Sequence, residues 1–220
     1  MVFKFKEGVA ESITFHPWSA EDIKKLSIIE VNNTTLYQDQ NPANNGLRDV
    51  KLGITSRKGT CVTCNKTWKD CPGHWGYLKL GIPLYHPGWS DIIYRSLKRF
   101  CIKCYIKKPI DGKNKQCLEC GAEYPVINKN DAWYISINKK PMMASQTLEI
   151  LQNIEKHNPS EKLSFTIMSI LPIPPTPIRP SPTVGGDEIR GEDEITRTLL
   201  RIVRINSTIR NHVDNSIAPK

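Results

Sequence analysis

Outside positions 61 to 120 the chain of 220 residues has no cysteine at all. That confinement argues against a disulfide framework, which would spread its pairs through a small secreted fold. Nowhere do eighteen apolar residues run together, so no helical membrane span is expected. The opening stretch, MVFKFKEGVAESITF, has no apolar run long enough for a secretory signal. The expected setting is therefore an intracellular, reducing compartment. No internal repeat is visible. Acid is in short supply, with 22 Asp and Glu against 31 Lys and Arg, giving a net charge of +9. Such a balance favours an acidic partner, nucleic acid above all, without selecting any fold. With 39% hydrophobic and 24% charged residues the chain is expected to fold, as one or two domains.

What is there is a dense pattern of metal-ligand residues. CVTCNKTWKDCPGH (61–74) places Cys61, Cys64, Cys71 and His74 as C-x2-C-x6-C-x2-H. CIKC (101–104) and CLEC (117–120) place Cys101, Cys104, Cys117 and Cys120 as C-x2-C-x12-C-x2-C. Two thiolates on one CxxC turn reach a single ion, and a second pair closes a tetrahedron. Seven cysteines and one histidine make two complete sets with nothing left over. Two structural zinc ions are expected, each saturated by protein ligands and so without an open position for hydrolytic water. His86 remains an alternative to His74 as the fourth ligand of the first set. A thioredoxin-like redox motif would need its own βαβ context and would leave two CxxC pairs unexplained. The cross-braced spacing of ubiquitin-ligase-type adaptors does not match two sequential sets.

The remaining sequence reads as a mixed α+β chain. SAEDIKKLSIIEV suggests a helix capped by Ser19 and Asp22, with Ile23, Leu26 and Ile28 as its buried stripe, after an N-terminal strand. Residues 32–50, rich in Asn and Asp, read as an irregular loop. WSDIIYRSLKRF (89–100) has helical periodicity and delivers Cys101 at its end. DAWYISI (131–137) reads as a strand, and SQTLEILQNIEKHN (145–158) as an amphipathic helix capped by Ser145. LSFTIMSILPIPPTPIRPSP passes from a strand into a proline track. That track is either a stiff connector or a PxxP ligand for an SH3-type domain. The acidic run Asp187 to Glu194 reads as a solvated cap on the last helix, EITRTLLRIVRINSTIR. Trp18, Trp68, Trp75, Trp89 and Trp133 are expected in the core, with Trp68 and Trp75 packed around the first metal loop.

Between Arg95 and Lys115 there are eight basic residues against a single acid, Asp111. That patch, with Arg57 and Lys58 before the first cysteine, suits phosphate contacts that are independent of sequence. Lys98, Arg99, Lys103, Lys107 and Lys108 are its candidate contacts, and a solvated basic face without a partner is the plain alternative.

These motifs, in this order, resemble the N-terminal clamp region of the largest subunit of multisubunit RNA polymerases of the archaeal, eukaryotic and large-DNA-virus type. The resemblance rests on NNGLRDVKLGI, CPGHWGYLKLGIPLYHPGW, CIKC and CLEC, LPIPPTPIRPSP and GEDEITRTLLRIVRIN, and it covers nearly the whole chain. It implies an irregular, zinc-stapled clamp-core module. In outline this has a strand, helix and loop at 1–52, a two-zinc region at 53–125, a strand and helix at 126–170, and a proline-rich connector with a final helix at 171–220. It implies that the eight ligands bind two zinc ions and that Arg179, in the connector, fixes a turn or meets nucleic acid. It also implies a second-largest polymerase subunit, DNA and the RNA–DNA hybrid as partners.

The family's catalytic magnesium sits on an aspartate-rich NADFDGD loop that does not occur in these residues. Magnesium is therefore expected only in the assembled enzyme, and the chain is expected to be a fragment or a split subunit. The twelve-residue spacer between CIKC and CLEC is short beside nuclear versions. Nucleus, cytoplasm or virion would follow from whether the host is eukaryotic, archaeal or viral. A free-standing zinc-ribbon regulator of transcription that binds nucleic acid is the competing reading.

Overall fold

The computed structural model describes residues 17–109, 115–131, 134–181, 183–184 and 189–217. The expected N-terminal strand, Asp111, Lys113 and Trp133 lie outside the described residues.

Helix α1 (Ala20–Leu26) starts at the expected capping box, with the Asp22 amide donating to Ser19 Oγ and the Ser19 amide to the Asp22 carboxylate, each at 3.1 Å. Its stripe is narrower than the sequence suggests. Ile23 is buried, but Leu26 is 44% and Ile28 49% exposed. The reason is that the chain passes straight from α1 into strand β1 (Ser27–Glu30). Two-residue alternation then turns Ile29 inward and Ile28 outward.

The Asn-rich loop contains a small hairpin, β2 (Tyr37–Gln38) and β3 (Asn41–Pro42), closed by Asp39 and Gln40 at φ 50° and 66°. Two positive φ values in a two-residue loop match the twist of the flanking strands. Farther along, the loop dives into the core, where Leu47, Arg48 and Asp49 are all buried.

Strand β4 (Trp75–Tyr85) is the spine of the molecule. Downstream of it come α2 (Ser90–Arg99), the antiparallel strands β5 (Ile127–Asp131), β6 (Tyr134–Ile137) and β7 (Lys140–Pro141), α3 (Ala144–His157) and β8 (Ile167–Ile173). The short pair β9 (Thr183–Val184) and β10 (Ile189–Arg190) precedes α4 (Glu194–Ile217). The main sheet has the order β1-β4-β8, parallel on one side of β4 and antiparallel on the other.

The β4–β8 register breaks between Lys79 and Leu84, and the two halves of β4 serve different cores. Leu78 joins Ile29, Val31, Leu47, Leu52, Ile173, Leu199 and Val203. Tyr85 joins Ile93, Leu97 and Phe100 from α2, with Ile127, Ile135, Leu151, Ile154 and Ile167. Each fully buried Leu or Ile contributes about 1.5–3 kcal/mol.

At the break, Asn206 of α4 clasps β4 by both ends of its amide. The Gly81 N–H donates to its Oδ1 at 2.8 Å, and its Nδ2 donates to the Lys79 carbonyl at 2.9 Å. A Cβ on Gly81 would lie 2.8 Å from Arg210 Cγ, so α4 can approach only a glycine there.

Helix α3 begins one residue earlier than expected. Met143 is its N-cap, and its amide donates to Gln146 Oε1, while Ser145 stays exposed. Of the four described tryptophans none is fully buried; Trp18 and Trp75 meet edge to face at 5.4 Å, and Trp68 is 40% exposed. The expectation of tryptophans in the core is overturned for these four. Their large rings close the margins of the two cores instead, because smaller aliphatic chains already fill the interiors.

Candidate metal centres

Three of the four ligand pairs sit on one repeated backbone turn. In each, the N–H four residues after the first cysteine returns to that cysteine's carbonyl: Asn65 to Cys61 at 2.8 Å, Tyr105 to Cys101 at 2.9 Å, Gly121 to Cys117 at 2.9 Å. The cysteine N–H then donates one residue further on, to Lys66, Ile106 and Ala122. Closing that turn needs a left-handed residue, and φ is 56° at Asn65, 61° at Tyr105 and 67° at Gly121. Glycine and asparagine take this region readily. Tyr105 is strained there and is held by α3, whose His157 ring lies 5.3 Å from its own. Asn158 Nδ2 also donates to its carbonyl at 2.9 Å.

The fourth pair, Cys71-Pro-Gly-His74, is shaped from outside. The Cys71 amide donates to the Thr67 carbonyl at 2.9 Å and the His74 amide to the Leu52 carbonyl at 3.0 Å. Gly73 has φ 77°, and a Cβ on it would stand 2.4 Å from Pro175 Cβ. Gly53, at φ 128°, would bring its Cβ within 2.9 Å of Pro177 Cδ, and Thr176 Oγ1 donates to the Gly53 carbonyl at 2.9 Å. The proline track is thus seated on the first metal loop. Pro175 is buried, so this segment does not stand out as a free PxxP ligand.

Both ligand sets converge. The ligand atoms of Cys61, Cys64, Cys71 and His74 lie within 4.8 Å of one another, as do those of Cys101, Cys104, Cys117 and Cys120. Cys104 and Cys117 sulfurs are 3.5 Å apart, Cys101 and Cys120 sulfurs 3.7 Å, and Cys71 Sγ is 3.7 Å from His74 Nε2. A bonded disulfide would be about 2 Å, and all seven thiols are free. A tetrahedral ion with Zn–S bonds of about 2.3 Å separates its sulfurs by about 3.8 Å, so the donor sets fit such an ion. His86 is not a ligand; its Nδ1 accepts the Gly88 amide at 3.1 Å.

The electrostatics suit deprotonated ligands. The amides of Cys120 and Glu119 point at the Cys117 sulfur and bring its thiol down to about 6. Cys104 is pushed up to about 12 by burial and by its neighbouring sulfurs. Without a metal, four thiols share one negative charge unequally; a dication removes that competition. Burial lowers the His74 pKa, which keeps its imidazole neutral and able to coordinate.

The candidate nucleic-acid residues divide. Arg57, Lys58, Lys98, Lys103 and Lys107 are exposed. Arg99 pairs with Glu161 at 3.1 Å, and Lys108 is half-buried with its ammonium 4.3 Å from the centre of the Tyr124 ring. Arg57 and Lys69 stand over Trp68 at 5.7 and 5.8 Å.

Arg179 corrects the sequence reading, because it is wholly buried. Its Nε donates to the Pro174 carbonyl at 3.0 Å, Nη1 to Thr196 Oγ1 at 2.9 Å and Nη2 to the Leu47 carbonyl at 2.6 Å. Burial and the nearby Arg48 bring its pKa down to about 10, still charged at neutral pH. With no surface and no spare nitrogen it does not reach a phosphate; it fixes the turn at the end of the proline track.

The acidic run before α4 is likewise not simply solvated. Glu192 accepts from Arg48 Nε at 3.0 Å and from Tyr37 Oη at 3.1 Å, and Asp193 caps α4 by accepting the Thr196 amide at 3.0 Å. No local pattern signals the Glu192 contacts, whose partners are more than a hundred positions away.

The comparisons with known proteins follow the same lines. Residues 7–108 match the family described as RNA polymerase Rpb1, domain 1. The chain is 28% identical to DNA-directed RNA polymerase subunit Rpo1N of Methanothermobacter thermautotrophicus, over 92% of this chain and 28% of that protein. It is 28% identical to subunit Rpo1N of Sulfolobus acidocaldarius over 94% of this chain and 29% of that protein. It is 25% identical to DNA-directed RNA polymerase II subunit RPB1 of Euplotoides octocarinatus over 93% of this chain and 54% of that protein. The chain thus spans between about a quarter and about a half of these relatives.

These matches define a component of the multisubunit RNA polymerase family. Within that family, the chain is related to the N-terminal region of the largest subunit. Among the described residues, no helix is long and apolar enough to cross a membrane.

Proposed function

We propose that this chain forms the clamp portion of an RNA polymerase largest subunit, closing over DNA and the RNA–DNA hybrid during transcription. The observation that carries the reading is the match to largest subunits along more than nine-tenths of the chain. The eight ligands fall into two closed clusters within the same stretch. Nucleotidyl transfer would belong to the assembled enzyme, with magnesium held elsewhere than on this chain and the second-largest subunit as its main partner. The intracellular compartment follows the host.

In this reading Cys61, Cys64, Cys71 and His74 hold one zinc ion, and Cys101, Cys104, Cys117 and Cys120 the other. Each ion supplies folding energy to loops with little apolar content, roughly 10–16 kcal/mol apparent for a structural site. The exposed Arg57, Lys58, Lys98, Lys103 and Lys107 supply the positive surface that a nucleic-acid backbone requires. The match to polymerase subunits disfavours the free zinc-ribbon regulator.

The test is to recover the tagged chain from its native source and identify its partners and metal content. A second-largest polymerase subunit together with two zinc ions per chain is the expected result. Filled sites with no polymerase partner would sink the clamp reading and leave the metal assignment standing.

A further inference from the structure

The two turns of the second centre are related by position as well as by shape. In each, the chain returns past the metal ligands through a single bridge, Phe100 to Lys107 in one and Gln116 to Glu123 in the other. One residue beyond the bridge, the Lys108 amide donates to the Arg99 carbonyl at 2.8 Å and the Tyr124 amide to the Lys115 carbonyl at 2.9 Å. Lys108 and Tyr124 therefore hold equivalent places, each seven residues after the first cysteine of its turn. Their side chains meet, with the ammonium 4.3 Å from the ring centre.

We propose that Lys108 and Tyr124 are the outer shell of the second metal centre, positioning its sulfurs and offsetting their charge. The inference rests on the reading that this cluster holds a metal ion. Four thiolates around a dication carry a net charge of −2, against −1 for three thiolates and a histidine, so the second centre has more charge to offset. Both side chains are half-buried in the right place. Burial and a hydrogen bond to the Cys117 sulfur push the Tyr124 hydroxyl up to about 12, so it stays a donor to that sulfur. The thiolate charges of Cys101 and Cys117 act on Lys108 in the direction that keeps it protonated, against its burial. A hydroxyl donor and an ammonium beside thiolates lower the sulfurs' electron density and hold their geometry, as outer-shell partners do elsewhere. Lys108 is in this respect unlike the exposed Lys103 and Lys107, which have water around them.

The test loads the full chain with cadmium-113 and records its NMR spectrum, in which an all-sulfur site and a three-sulfur, one-nitrogen site give separate resonances. Chelator-driven release is then timed for each resonance. Tyr124→Phe keeps the ring and removes only the hydroxyl. It is expected to shift the all-sulfur resonance and speed release from that centre by about 10-fold, leaving the first centre unchanged. Lys108→Met should also speed release, and Lys108→Arg should restore it. An unshifted all-sulfur resonance with wild-type release in Tyr124→Phe overturns the inference while leaving the metal assignment intact. A wild-type chain that takes up cadmium only at the mixed site overturns the metal assignment, and this inference with it.

Discussion

Arg48 and Arg179 are tied each to the other's stretch of backbone. Arg48 Nη1 donates to the Arg179 carbonyl and Arg179 Nη2 to the Leu47 carbonyl, both at 2.6 Å. Two guanidinium groups are held this close because acids flank them. Arg48 Nη2 lies 2.5 Å from Glu192 and 3.1 Å from Asp193. One buried network therefore joins the Asn-rich loop, the proline track and the start of α4, and it leaves no buried side-chain polar atom unpaired among the described residues.

Arg179→Lys is expected to destabilise the chain severely. A lysine ammonium cannot span three acceptors fixed by a planar fork, and it leaves the Leu47, Pro174 and Thr196 oxygens without donors. Breaking one partner of a buried charged network costs roughly 3–5 kcal/mol. Denaturant unfolding would show this as a lower midpoint. The salt dependence of any nucleic-acid binding by the folded fraction should be unchanged, since Arg179 is 0% exposed. A stable variant with a flatter salt slope would return Arg179 to the nucleic-acid surface.

The contrast between this network and the metal sites explains what a sequence can reveal. Each CxxC turn is local: its cysteines, its left-handed residue and its closing amide lie within six positions, so spacing alone exposes it. Helices α2 and α3 are legible by periodicity for the same reason. Arg179 and Glu192 are defined by Arg48, more than 130 positions away, and no local pattern distinguishes a buried arginine in a proline track from a surface one. The clasp of Asn206 on Gly81 is equally hidden. Leu26 and Ile28 mislead because helical spacing there runs across a helix-to-strand junction.

Gly73 and Gly59 offer a paired test of the seat between the proline track and the first centre. Both have positive φ, 77° and 90°, but a Cβ on Gly73 would meet Pro175 at 2.4 Å while one on Gly59 would meet nothing within 4 Å. Gly59→Ala should therefore cost only the backbone strain, about 1 kcal/mol. Gly73→Ala must also push the proline track away, and it should lower the melting temperature further and reduce metal retention at the first centre. Calorimetry with metal analysis on both variants would decide it; equal losses would show that the track is not seated there.

Stability should fall in acid partly through Asp193. Burial acts to raise its pKa, but hydrogen bonds from Thr196 and the charges of Arg48 and Arg179 outweigh it and hold the carboxyl below its ordinary value. A carboxyl depressed in the folded state binds protons better when unfolded. Its contribution is therefore present above the ordinary carboxylate range and lost as pH falls through the folded value. Asp193→Asn should be less stable than wild type at pH 7, and the gap should close on acidification below about pH 4. Protonation of the cysteine ligands affects both proteins alike, so the difference between their unfolding curves isolates Asp193. A gap that widens in acid would contradict the assignment.

The exposed basic face should reveal itself through salt. Lys98, Lys103 and Lys107 are exposed, whereas Arg99 is engaged by Glu161. Every duplex phosphate that a variant no longer neutralises should flatten the slope of log K against log salt by about 0.9. Replacing Lys103 and Lys107 together with glutamine is expected to weaken DNA binding equally for unrelated sequences and to flatten that slope by nearly two such steps. Arg99→Gln should change it less, because its guanidinium is already partly neutralised. Titrations of each variant at several salt concentrations provide the measurement. Unchanged slopes for the double variant would mean that this face is merely solvated, and the phosphate-binding surface of a clamp would then have to be sought around Arg57 and Lys58.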